Sequence, residues 1–163
     1  MTRPSDREPY FPLFTDISSW KILVIGAGEI ALRRLETLAH FAKEITIIAP
    51  EIHPKIKILA QNNNWKIIKK NYDKADLKAM DMVLATTNCR HINREIYLNC
   101  KELDTLSKIP NKRILVNVAD RQEECDFLFP AIVQKDQHII GISSGGKDKT
   151  GTKDLAKELR EKL

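Results

Sequence analysis

The sequence predicts an α/β protein built on an open, doubly wound parallel sheet, and three observations carry that prediction. Short apolar, β-branched runs alternate with stretches of helical periodicity; a glycine-rich turn separates the first run from the first helix; and later runs close on Thr, Asn and Asp. Strands joined through helices run parallel, and ligands of such sheets bind outside the strands' C-terminal ends.

The elements follow in order. Lys21-Ile22-Leu23-Val24-Ile25 is apolar in both alternating sets, as a strand buried on both faces requires, and it stops at Gly26. Ile30, Ala31, Leu35, Leu38 and Ala42 then recur at helical spacing, with Arg33, Arg34 and Glu36 on other faces. Residues 44–49 form the second strand, so the N-terminal part is a βαβ unit with a right-handed crossover. A helix is expected over residues 50–62, with Pro50 in its first turn and Pro54 a source of irregularity. Residues 65–69 alternate as an edge or half-buried strand, and 81–86 form a buried strand backed by a helix over 91–103. Residues 113–118 supply the fifth strand.

Gly26-Ala27-Gly28-Glu29-Ile30-Ala31 has the GxGxxA form of a dinucleotide fingerprint, in the strand–turn–helix context that its mechanism demands. Gly26 permits the tight turn, Gly28 lets the backbone approach a pyrophosphate, and Ala31 keeps helix and strand close. The phosphates would sit on free amides at a helix N-terminus. The competing reading is a glycine turn that only packs. The second strand ends in Ala49-Pro50, after which Glu51 either receives the ribose hydroxyls or serves as a first-turn helix carboxylate. No Arg adjoins that strand end and the first Lys is Lys55, so NAD is expected over NADP. Thr86-Thr87-Asn88 closes the fourth strand at the ligand edge, or caps the following helix. Asp120 stands where the fifth strand emerges, as a turn residue or a catalytic acid.

Beyond Asp120 the alternation ends. Residues 127–133 and 138–142 flank a polar Gln134-Lys135-Asp136-Gln137 and predict a hairpin, with Pro130 suited to an edge. A helix is expected over 154–163 after a mobile segment, residues 145–151. The expected organisation is a Rossmann-like NAD-binding domain over 1–126 and a dimerisation hairpin with a short helical end over 127–163.

Composition narrows the function classes. At 163 residues with 42% hydrophobic and 30% charged residues, the chain is a globular protein rather than a disordered one. No apolar run approaches the roughly 20 residues of a membrane span. The polar start, Met1 to Arg7, lacks the apolar stretch of a signal peptide, so a cytoplasmic protein is expected. The net charge of +5 favours anionic partners, but no aromatic-rich basic motif points to nucleic acid. Cys89, Cys100 and Cys125 form no CxxC pair and the four histidines are scattered, so no metal site is expected.

Five stretches carry a more specific likeness: Tyr10-Phe11-Pro12-Leu13-Phe14; Gly26 to Arg33; Ile48-Ala49-Pro50-Glu51; Val116-Asn117-Val118-Ala119-Asp120; and Asp126-Phe127-Leu128-Phe129-Pro130-Ala131 leading to Ser143-Ser144-Gly145-Gly146. In these the chain resembles the precorrin-2 dehydrogenase family, which includes the N-terminal dehydrogenase and ferrochelatase module of siroheme synthases. The resemblance implies NAD-dependent oxidation of precorrin-2 to sirohydrochlorin, in some members followed by insertion of ferrous iron, by a homodimer whose second module completes a cleft. Carried over by position, the cofactor contacts fall on Gly26, Ala27, Gly28, Glu29, Ile30, Pro50, Glu51, Thr86, Thr87 and Asn88. The functional aspartate falls on Asp120, and the substrate-binding stretch on Ser144, Gly145 and Gly146. The substrate is a polycarboxylate, which Arg33, Arg34 or the lysines around Gly145 would steer.

Three departures accompany the likeness. Ala27 stands where a third glycine is common, Thr86-Thr87-Asn88 where Ala-Thr-Asp is usual, and residues 147–156 replace a Ser-Pro-x-x-Ala-Arg segment. The C-terminal helical module of longer relatives is accordingly expected to be largely missing. Two other readings are a non-catalytic NAD-sensing Rossmann module and a Rossmann dehydrogenase for another small substrate. The first of these leaves the Asp120 motif, the hairpin after it and the Ser144-Gly145-Gly146 stretch without a purpose.

Overall fold

A computed structural model describes residues 10–107 and 113–163; the polar start from Met1 to Arg7 lies outside the described residues. The chain divides into two compact units, Asp16–Phe127 and a smaller one joining residues 10–15 to Leu128–Leu163.

The larger unit holds a five-stranded parallel sheet made of β1 (Lys21–Ile25), β2 (Glu44–Ile48), β3 (Lys66–Ile68), β4 (Met82–Ala85) and β5 (Leu115–Val118). Their order is β3-β2-β1-β4-β5, so the sheet grows in one direction from β1 to β3 and in the other from β4 to β5. With right-handed crossovers, α1 (Glu29–Leu38) and α2 (Pro54–Asn62) cover one face and α3 (Arg90–Leu106) covers the other. This is why β1 and β4 are buried along nearly their whole length, as their unbroken apolar sequences require. Leu23, Ile25, Val83, Ala85, Val116 and Val118 form one core layer with Ile96 and Cys100 of α3. Asp81 aligns the opposite ends of the strands: its carboxylate accepts from the Lys21 N–H at 2.8 Å and its carbonyl from the Leu115 N–H at 3.0 Å.

The helix boundaries differ from expectation for local reasons. The helix over 50–62 starts at Pro54, because the His53 ring accepts the Lys55 N–H and supplies the N-cap ahead of a proline that needs no donor. Pro50 and Glu51 thus lie outside that helix, and the first-turn reading of Glu51 falls away. Among the acids that follow β5, Asp126 is structural. Its nearly enclosed carboxylate accepts from Lys101 at 2.7 Å, from the Val116 N–H at 2.9 Å and from Arg113, fastening the chain after β5 to α3.

The smaller unit contains β6 (Ala131–Lys135) and β7 (His138–Ile142), an antiparallel hairpin in register from Ala131↔Ile142 to Lys135↔His138. Asp136 turns it with φ of 52°. The first strand begins after Pro130 rather than at Phe127, since proline offers no N–H to the ladder. α4 (Lys149–Lys162) packs on β6 through Ala156 and Val133, and Arg160 donates to the Ile132 carbonyl at 2.8 Å. It starts five residues before the expected helix, so Lys149, Thr150 and Gly151 are its first turn and not a mobile segment. The Asp148 carboxylate accepts from the Gly151 N–H at 2.7 Å, and a Cβ on Gly151 would collide with it. No helix among the described residues is long and apolar enough to cross a membrane.

Burial in the core pushes the Cys100 thiol up to about 12, whereas Cys89 is exposed. A thiol-specific reagent at pH 8 should therefore modify Cys89 at once and Cys100 only on unfolding. Because the folded state retains the Cys100 proton, this contribution to stability is complete below about pH 9 and is lost as pH rises towards 12, which alkaline denaturation curves of wild type and Cys100→Ala should reveal.

Candidate active site

The strand order reverses between the parallel strands β1 and β4, and the chains leaving these two strands form the first part of the site. Gly26 follows β1 with φ of +100°, and a Cβ there would lie 2.6 Å from the backbone carbon and oxygen of Thr86. Only glycine meets both demands. Thr86, buried at the end of β4, donates its N–H to the Ile25 carbonyl at 2.8 Å and its hydroxyl to the same oxygen at 2.9 Å. The glycine turn and the Thr86-Thr87-Asn88 strand end are thus one joined structure.

Gly28 caps α1 without any side-chain hydrogen bond, and a Cβ added there meets nothing within 4 Å. Exposed backbone amides at a helix start, in open space, are what a pyrophosphate needs. Glu29 and Ile30 are exposed beside them, while Ala27 is buried. The β2–α2 loop that carries Pro50 and Glu51, both exposed, is tied to this turn through His53. Its N–H donates to the Ala27 carbonyl at 3.1 Å, and its Nε2 lies 3.1 Å from the Glu29 carboxylate. Since Nδ1 accepts the Lys55 N–H, the proton belongs on Nε2, which then donates to Glu29.

Thr86, Thr87 and Asn88 do not supply the side-chain cap of α3. The N-cap is Cys89, without a side-chain hydrogen bond, although the Thr87 hydroxyl accepts the Cys89 N–H at 3.2 Å.

Asp120 follows β5, next to β4, and is exposed. Its Oδ1 accepts from Asn93 Nδ2 at 3.2 Å and from Arg90 at 3.4 Å, both on the first turn of α3. Arg90 also pairs with Glu124, whose carboxylate, followed by that of Asp120, raises the guanidinium pKa. The Asp120 carboxylate is thus anchored through one oxygen by a cation and an amide while remaining 39% exposed. Asn117, on β5, donates to the Phe127 carbonyl at 2.7 Å; its buried Oδ1 has no partner among the described residues and offers an acceptor to a ligand or water.

Ser144, Gly145 and Gly146 belong to the smaller unit. The Ser144 hydroxyl accepts the Asp148 N–H and donates to the Asp148 carbonyl, each at 2.9 Å, which closes the turn into α4. Gly145 and Gly146 have φ of 65° and 81°, and the Tyr10 ring lies beside Gly145. Arg33 is exposed as expected of a steering residue. Arg34 is half-buried near Cys125, and that enclosure pushes its pKa down to about 10, so it is not part of a solvated basic surface.

His53, Asn93, Arg90 and Glu124 escaped the sequence reading. Asn93 left one signal: with Ile96 and Cys100 it occupies the buried stripe of α3, a polar residue at a core position.

Fold and turn define a dinucleotide-binding protein of the Rossmann type. Residues 13–131 match a family model described as "Putative NAD(P)-binding". Over 155 residues the chain is 37% identical to the "Probable multifunctional siroheme biosynthesis protein HemA" of Ruminiclostridium josui, covering 93% of this chain and 28% of that protein. It is 36% identical to a siroheme synthase of Psychrobacter sp. (strain PRwf-1), covering 84% and 26%, and 34% identical to that of Zymomonas mobilis, covering 94% and 30%. The chain thus spans less than a third of these curated relatives. A solved structure titled "SirC, precorrin-2 dehydrogenase" superposes with a TM-score of 0.74 at 22% identity, covering 94% of this chain and 71% of that one, which shows the shared fold. The chain belongs to this NAD(P)-binding family.

The two glycines should separate folding from binding. Gly26→Ala should lower stability by roughly 1–3 kcal/mol in urea titrations, from its backbone conformation alone. Gly28→Ala should change stability by less than about 1 kcal/mol yet weaken nicotinamide dinucleotide binding at least tenfold by calorimetry, because its Cβ occupies the space open to the phosphates.

Proposed function

We propose that this chain oxidises precorrin-2 to sirohydrochlorin with NAD as hydride acceptor, acting as a homodimer in the cytoplasm. The observation that carries the reading is Asp120, a partly exposed carboxylate at the C-terminal end of β5 that side chains of α3 hold through Oδ1. The relatives named for siroheme synthesis, and the fold shared with a precorrin-2 dehydrogenase, supply the substrate class.

The division of labour follows from the residues. NAD supplies a two-electron sink that takes hydride from the reduced macrocycle. The exposed amides after Gly28 hold its pyrophosphate, and Glu51, exposed and with no adjoining Arg, favours ribose hydroxyls over a 2′-phosphate. Loss of hydride leaves a proton to be removed from the macrocycle, and Asp120 takes it as general base. Fixing Asp120 through Oδ1 leaves Oδ2 for that proton. Ser144, Gly145 and Gly146 contribute backbone to the substrate side, where positive φ angles let the chain approach a flat ring closely.

Phe11, Leu13 and Phe14 are 87%, 79% and 71% exposed, an apolar run that a second copy would cover in this reading. This run belongs to the smaller unit, with Leu128–Leu163.

Asp120→Asn should lower turnover of enzymatically generated precorrin-2 by about 10²–10⁴-fold, followed as sirohydrochlorin absorbance, with NAD affinity nearly unchanged. Loss of folding or of NAD binding in that variant would instead make Asp120 structural. Light scattering should give the mass of a dimer for wild type, and Phe11→Asp with Phe14→Asp should reduce it to that of a monomer.

A further inference from the structure

We infer that Asn93 is a positioning residue for this reaction, setting the Asp120 carboxylate against the strand end at Thr87; the inference rests on the dehydrogenase reading above. Asn93 is fully buried, and its amide is saturated. Oδ1 accepts from the Thr87 N–H at 3.1 Å and from the Thr87 hydroxyl at 2.7 Å. Nδ2 donates to the Thr87 carbonyl at 3.0 Å and to Asp120 Oδ1 at 3.2 Å.

No other side chain of similar size has two donors and two acceptor lone pairs in this arrangement. Asp would lose the donors, Leu all four bonds. Ala85 and Val118 are partners across β4 and β5, and Thr87 and Asp120 each follow two residues beyond that pair. The first turn of α3 lies against both, and Asn93 spans them with one rigid amide. A cap or a core residue would need bonds to one strand end only. Asn93 bonds both, one of them the proposed cofactor contact and the other the proposed base. Arg90 from α3 donates to this carboxylate and also pairs with Glu124 from the turn after β5.

The inference has a pH-resolved test. Asn93→Asp keeps the acceptor for Thr87 but sets a second carboxyl against Asp120, which disfavours the charged form of Asp120, so its kcat–pH profile should be displaced to higher pH relative to wild type. Asn93→Ala should lose at least tenfold in kcat, with a smaller rise in KM for NAD. Rates of Asn93→Asp that track wild type across pH, or an Asn93→Ala whose NAD affinity falls as far as its kcat, would overturn the assignment. A measurement on the wild-type protein decides the matter if neither variant folds. In asparagine-labelled protein the Asn93 side-chain amide signals should shift with the titration of Asp120 and stop doing so in Asp120→Asn; signals indifferent to that titration would overturn it. Absence of precorrin-2 oxidation by wild type would sink the activity reading alone, since the amide titration still reports the Asn93–Asp120 link.

Discussion

The contact on which the rest of the site depends is the passage of the Thr86 peptide against Gly26. The separation leaves no room for a side chain, and the Thr86 N–H and hydroxyl converge on the Ile25 carbonyl. That contact exists because β1 and β4 are neighbours where the sheet reverses its order. It brings the start of α1 and the loop into α3 to one edge, so a helix N-terminus suited to phosphate and a strand end suited to a ring belong to the same small structure. Side chains elsewhere in the larger unit serve this arrangement: Asp81 at the far ends of the strands, Asp126 behind β5, His53 at the β2–α2 loop.

Two acids six residues apart show how position decides role. Asp126 is nearly enclosed and surrounded by Lys101, Arg113 and a strand N–H, an arrangement that neutralises a carboxylate and leaves it nothing to do but hold. Asp120 meets one cation and one amide and keeps contact with solvent. Both stand in the resembled motifs, and nothing in their local sequence separates them. Their partners do, and these lie between 10 and 30 residues away in the chain.

The same distinction explains what could be read from the sequence. β1, β4 and the glycine turn were legible because their causes are local: burial on both faces for the strands, steric room and φ for Gly26. The start of α2 was misplaced because Pro50 and Pro54 carry equal helix-opening signals; the choice fell to the His53 ring, whose Nδ1 caps only the second. The early start of α4 turned on Asp148, a cap hidden inside a glycine- and lysine-rich segment that resembled a linker. Arg90, Asn93 and Glu124 gather around Asp120 through tertiary packing, for which one unaligned sequence holds no record beyond an asparagine in an apolar stripe.

The pairing of Ala85 with Val118, two residues before Thr87 and Asp120, has a consequence for how this site tolerates change. A slip of one residue between β4 and β5 would turn a strand's core side chains to the other face and offset the two ends that Asn93 bridges. Length variation confined to the β6–β7 turn leaves that pairing untouched. In the proposed reading the chemistry is therefore encoded as a count of residues between two strands as much as by the identity of an acid. Insertions and deletions in the two strands are a harsher filter on descendants of this chain than most substitutions.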